Sequence, residues 1–169
     1  MIAHNAYPAD GFMYVPIYVG PHEHGHPMLN AVDGYYSQSL YVVHGSGEYH
    51  LRDTQDGDET ASVLPAAGEF LDVSANYDKY HCLEAGANGL AVIFFNPIPV
   101  TNTLSFEKLE PGTATVSATD KTKIVMCVNG PMGIGTQELV AHQHAKVKPG
   151  QSFPLSIPEH SLAIVVTVN

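Results

Sequence analysis

The chain has 169 residues, 44% of them hydrophobic, and a formal net charge of -10 from seventeen acidic and seven basic side chains. Such a surface repels nucleic acid and anionic lipid, and the best basic cluster is only the pair Lys121 and Lys123. The longest apolar run, "GLAVIFFNPIPV", is broken by Asn96, Pro97 and Pro99 and falls short of the ~20 residues a membrane helix needs.

The predicted elements are strands. Fifteen glycines and twelve prolines leave few windows long enough for a helix. The N-terminal "MIAHNAYPADG" has no basic region followed by an apolar one, so no secretory leader is expected and a cytoplasmic location is. Runs rich in Val, Ile, Tyr and Phe predict strands at 12–19, 37–44, 48–52, 60–64, 69–73, 79–84, 90–95, 104–109, 123–128, 139–147, 152–157 and 162–168. Short strands at this spacing indicate an antiparallel sandwich or barrel. "HGSGEY" places Gly45 and Gly47 where a tight hairpin is expected, and "VNGPMGIG" does the same around Asn129 and Gly130. "RDTQDGDET" reads as a solvated hairpin tip at Asp56 and Gly57. Cys82 and Cys127 each lie in an apolar run and read as buried thiols.

Ten histidines are unevenly spread. "VGPHEHGHPMLN" sets His22, His24 and His26 at alternate positions between Pro21 and Pro27. In extended backbone, alternate residues share a face, so His22 and His24 could reach one ion and His26 could add a third nitrogen. A polar surface loop is the competing reading. His81, between Tyr80 and Cys82, reads either as a distant fourth ligand or as a hydrogen-bonded core histidine. "LVAHQHAKV" would put His142 and His144 on the solvated face of a strand. Tyr35, Tyr36 and Tyr41 could line a pocket for a polar ligand, although tyrosines at strand spacing more often pack.

The chain also repeats itself faintly. "SLYVVHGSGEYHL" and "KIVMCVNGPMGIG" each open a series of strand, Gly turn, strand, Gly step, His and final apolar strand. In that alignment Gly68 matches Gly150 and His81 matches His160.

This order of features resembles the cupin family, small β-barrels of the jelly-roll type. The first cupin motif is a His-x-His pair, a Glu, and a Gly opening a hairpin; the second holds a Gly step, a loop and a further His. The resemblance implies one metal ion inside the barrel, held by the His pair, the Glu and the last His. It covers residues 20–96 best, and the second copy resembles the metal-free half of a two-cupin protein of the sugar-phosphate isomerase branch. Gly45 resembles the Gly that closes the first motif, and Gln38 stands where the family has Glu. Gln ligates through its carbonyl oxygen and brings no charge. The His pair lies more than ten residues before Gln38, where the family has only a few. Gly68 and His81 resemble the second motif.

The reading is therefore an all-β, cupin-like jelly-roll barrel with two unequal halves, 1–100 with the candidate metal site and 101–169 without one. The expected ligands are His22, His24, His26, Gln38 and His81. The expected cofactor is a divalent metal, zinc, iron, manganese or nickel. The expected function is a metal-binding cupin acting on a small polar metabolite, a carbohydrate or organic acid, as an isomerase or dioxygenase. The alternative is a non-catalytic ligand-binding or structural barrel that has lost its metal. No nucleic acid or membrane partner is expected, and exposed strand edges would fit a homodimer.

Overall fold

Buried and less buried residues alternate along Phe12–Val19, where Phe12, Tyr14 and Pro16 are buried. Only extended backbone satisfies a period of two. The structure, a computed structural model, describes residues 2–3, 6–25, 28–29, 36–76 and 78–169. Among these residues the regular elements are sixteen strands and one 3-10 turn, Ser74–Asn76. No helix among them is long and apolar enough to cross a membrane. The chain divides into two compact units, Met1–Pro8 with Phe12–Thr101, and Ala9–Gly11 with Asn102–Asn169.

The first sheet contains β1 (Ile2–Ala3), β2 (Tyr7–Ala9), β3 (Phe12–Val19), β4 (Met28–Leu29), β5 (Ser39–Arg52), β6 (Glu59–Val63), β7 (Phe70–Asp72) and β8 (Tyr80–Pro97). The order is β1-β3-β8-β5-β6, with β2 on β3, β4 on β8 and β7 on β5. The hairpin at Asp56 and Gly57 forms as expected and pairs Arg52 with Glu59. The hairpin expected at Gly45 and Gly47 does not form. The runs predicted at 37–44 and 48–52 merge into one strand, β5, which begins at Ser39, and those at 79–84 and 90–95 merge into β8, which begins at Tyr80. The two strands run side by side through register shifts between Val42 and His44 and between Gly45 and Gly47. Such bulges bend a strand without ending it. A Cβ at Gly45 would stand 2.0 Å from the Gly89 carbonyl oxygen, and one at Gly47 2.0 Å from that of Glu84. These glycines permit two bent strands to approach closely, where the sequence suggested a turn. The bend creates two arms. In one, the early part of β5 lies between β7 and late β8; in the other, late β5 lies between β6 and early β8.

One apolar cluster joins the inner faces of both arms. Leu40, Val42, Leu90, Val92 and Phe94 come from the first arm, and Tyr49, Leu83 and Ala85 from the second. His81 points into this interior: its Nδ1 is 3.0 Å from the Tyr49 hydroxyl oxygen, and its ring centre lies 5.3 Å from that of Phe94. Burial lowers its pKa from 6.5 to about 4, because the apolar surroundings disfavour the charged ring. The folded pKa lies below the unfolded one, so the unfolded chain binds more protons in that window. The stability from this group is complete above about pH 6.5 and is lost as the pH falls through about 4, amounting to roughly 3 kcal/mol. In chelator, the urea midpoint is expected to fall over that interval, and His81→Phe to flatten the fall.

The second unit contains β9 (Leu104–Leu109), β10 (Gly112–Ser117), β11 (Lys123–Asn129), β12 (Met132–Ile134), β13 (Gln137–Leu139), β14 (His144–Val147), β15 (Ser152–Ile157) and β16 (Leu162–Val168). They form two sheets, β14-β11-β16-β9 and β10-β15-β12-β13. Val125, Cys127, Val147 and Val165 of the first share a core with Val116, Met132, Leu139 and Leu155 of the second. The sequence did not announce β10, whose Thr and Ser residues give little apolar signal. The strand expected at 139–147 is broken: β13 ends at Leu139, β14 begins at His144, and His142 takes a left-handed φ of 67°. His142 and His144 therefore do not share a strand face.

The repeat exists in backbone pairing, with a different register from the sequence alignment. Val42 pairs with Val92 and Cys127 with Ala163, each just before a register shift, and Gly45 and Gly130 follow with φ of 84° and 72°. The Gly68 amide donates to the Val42 carbonyl at 2.8 Å, as the His142 amide does to that of Cys127 at 2.8 Å. Gly68 thus matches His142 and not Gly150. Glu48 faces Glu84 as Gly133 faces Ser156, so His81 matches Phe153 and not His160. The two units share hydrogen bonding rather than side chains, and side chains were all the alignment could use.

Candidate metal centre

Residues directly opposite in paired antiparallel strands share a face. His50 lies opposite Cys82, Glu48 opposite Glu84, and Arg52 opposite both Tyr80 and Glu59. These residues alternate with Tyr49, Leu51, His81 and Leu83, so they stand on the face of the second arm turned away from the core. Residues 21–25 join this face along the other side of β8. The Gly25 amide donates to the Leu83 carbonyl at 2.8 Å and the Ala85 amide to that of Glu23 at 3.0 Å. This register sets His24 opposite Glu84.

His24, His50 and Glu84 bring ligand atoms within 4.8 Å of one another, and so do His24, Glu59 and Cys82. His50 is 6% exposed and lies at the centre. Its Nδ1 contacts Glu59 Oε1, and its Nε2 is 3.4 Å from Glu84 Oε2 and 3.5 Å from Glu48 Oε2. Neither buried nitrogen makes an aligned hydrogen bond. His24 Nε2 is 3.3 Å from Glu59 Oε1 and 3.7 Å from Cys82 Sγ. A buried imidazole aimed at three carboxylates and out of hydrogen-bond alignment suits a cation.

The electrostatics are uneven. Burial would raise the Glu59 carboxyl, but hydrogen bonds from Arg52 and His24 and the charges of His50 and Arg52 outweigh it and hold the group below the usual carboxylate range. Arg52 Nε donates to Glu59 Oε2 at 3.0 Å. Burial, reinforced by the Glu59 charge, pushes the Cys82 thiol up to about 11. Metal binding to this sulfur must therefore expel a proton. Both cysteines are buried free thiols, as their apolar settings suggested.

The structure regroups the expected ligands. His24 joins the cluster. His22 has a left-handed φ of 56° and is exposed, its amide donating to the Gly86 carbonyl at 3.3 Å. His26 lies outside the described residues. Gln38 immediately precedes β5, its backbone tied to Phe95 and Val73, and its strand neighbours belong to the first arm. His81 faces the interior and joins neither ligand group. Among the described residues, the apolar cluster around His81 includes Tyr49, Leu83 and Phe94. His24 and His81 are on opposite faces of one sheet because β8 alternates between them. Sequence reading does not group His50, Glu59, Cys82 and Glu84 with the histidines of residues 22–26. The usable signal was the alternation "EYHLR" and "HCLE", which puts Glu48, His50 and Arg52 on one face and Cys82 and Glu84 on another.

No family model matches this chain, and no curated protein sequence is similar to it. Solved structures do resemble it. A conserved protein of unknown function from Pseudomonas aeruginosa, PA5104, superimposes with a TM-score of 0.61 at 17% identity, over 94% of this chain and 82% of its own. HutD from Pseudomonas fluorescens gives a TM-score of 0.62 at 12% identity, over 94% of this chain and 79% of its own. A variant of oxalate decarboxylase from Bacillus subtilis gives 0.61 at 8% identity, over 94% of this chain and 68% of its own. The likeness is one of fold, spans nearly the whole chain, and includes a cupin enzyme. With its bent antiparallel sheets, the protein has a cupin-like jelly-roll fold.

Proposed function

We propose that this protein is a divalent-cation-binding cupin whose cation lies on the outward face of the first unit. His24, His50, Glu59 and Cys82 would hold it, with Glu84 at the rim, and its substrate would be a small oxygen-bearing metabolite, a carbohydrate or organic acid. The observation that carries this reading is His50, buried among carboxylates with neither nitrogen in an aligned hydrogen bond. Imidazole, carboxylate and thiolate together fit zinc. Oxalate decarboxylase from Bacillus subtilis has Mn(II) centres, and a donor set with a thiolate is softer than manganese favours. A bound cation would supply a Lewis acid toward a carbonyl or hydroxyl oxygen. The chain's own residues do the rest: paired strands fix His50 against Cys82, Arg52 keeps Glu59 ionised, and His24, 39% exposed, leaves one side open.

A metal-free ion-pair network that ties β6 and residues 21–25 to the sheet is the second reading. Arg52 favours it, since it already occupies Glu59 Oε2. Elemental analysis separates the two. The cation reading expects about one zinc per chain. Cobalt(II) loading is then expected to give a thiolate-to-cobalt charge-transfer band in the near ultraviolet that Cys82→Ser lacks. Absence of stoichiometric metal, with a melting temperature indifferent to chelator and added zinc, would leave only the network.

A further inference from the structure

Cations are scarce in this chain, with seven Lys and Arg against seventeen acidic residues. Two of the seven, Lys146 and Lys148, border a single cleft of about 460 Å³ in the second unit. His144, Gln137 and Gln151 line it beside them, Phe153 supplies an apolar wall, and no carboxylate is among its lining residues. We propose that this cleft binds a small organic anion, with its carboxylate on the lysines and amides and its apolar body against Phe153.

The cationic edge is held in place by backbone geometry. The Gln151 amide donates to the Lys148 carbonyl at 3.0 Å, and the Lys148 amide donates to Gln151 Oε1 at 2.9 Å. Gly150, at φ 80°, closes this turn. With its oxygen engaged, the Gln151 side chain presents its nitrogen as the donor end. Lys146 is paired with Asp10, whereas no ion pair among the described residues engages Lys148. An incoming carboxylate competes with Asp10 at the first lysine and meets no rival at the second. The apolar wall is kept open by Gly135, where a Cβ would lie 3.3 Å from the Phe153 ring. The volume and the aromatic wall favour an anion with an organic body over an inorganic one.

The test is calorimetric titration of the full chain with phenylacetate, and with inorganic phosphate as the purely polar comparison. Excess chelator keeps any cation of the first unit out of the measurement. Saturable phenylacetate binding is expected, weakened about tenfold or more by Lys148→Met and by high salt, with amide shift changes confined to residues around the cleft. Lys148 is exposed, so the melting temperature of that variant should be unchanged. No saturable binding, phosphate bound as tightly as phenylacetate, or an unaltered affinity in Lys148→Met would overturn the proposal. Because the cation site is read by metal content, either proposal can fail while the other stands.

Discussion

His50→Ala is expected to abolish stoichiometric metal binding, with the affinity for zinc falling by more than about 100-fold. Even a group that only orients a metal ligand is worth about 10- to 100-fold, and His50 is placed to ligate directly. Its ring sits between Glu59, Glu84 and Glu48 and packs edge to face on His24 at 5.0 Å between centres. Removing it takes a donor from the centre of the cluster and leaves Glu59 with one partner fewer. In metal-free protein the same change should cost Glu59 only about 1 kcal/mol, because that carboxylate is exposed and keeps Arg52 as a partner. The paired control is His81→Leu. His81 lies one residue from Cys82 but faces the opposite side, so that variant should keep its full metal content. Equilibrium dialysis followed by elemental analysis reads both. Metal lost from His81→Leu and retained by His50→Ala would put the cation inside the barrel and defeat the outward-face assignment.

Gly45→Ala is expected to lower stability by about 3 kcal/mol or more, enough to move the urea midpoint by about 1 M or beyond. Two penalties combine there. The left-handed φ of 84° costs an L-residue about 1–2 kcal/mol. The new Cβ would also stand 2.0 Å from the Gly89 carbonyl oxygen, which belongs to the neighbouring strand and cannot yield without breaking the ladder. Gly150→Ala separates the two terms. Gly150 has a φ of 80° but nothing within 4 Å of a Cβ, so it should show the conformational penalty alone. Equal midpoints for the two variants would show that the strand crossing is not the constraint.

Some residues could be read correctly before any coordinates. The Asp56-Gly57 hairpin, the buried thiols of Cys82 and Cys127 and most strand positions follow from local composition, and His24, one of the expected ligands, stands beside Glu59 and Cys82. Gly45 shows where that reading stops. A Gly between two apolar runs looks the same whether the chain turns back or a single strand bends past its neighbour. The acidic loop shows it again. In "RDTQDGDET" Glu59 reads as one more solvated charge beside a hairpin tip, yet pairing with Arg52 turns it toward His24 and His50.

The sequence by itself determined a β protein of strands punctuated by glycine and proline, with a histidine-rich segment at residues 22–26. Each of these depends on neighbours a few residues apart, where period-two patterning and glycine placement act. Only the tertiary structure decided which imidazoles meet. A shift of one residue turns a side chain from one face of a sheet to the other. The registers joining β5, β6, β8 and residues 21–25 are set by bulges and by backbone partners remote in the chain, so His50 and Cys82 meet His24 while His81 turns inward to Tyr49 and Phe94.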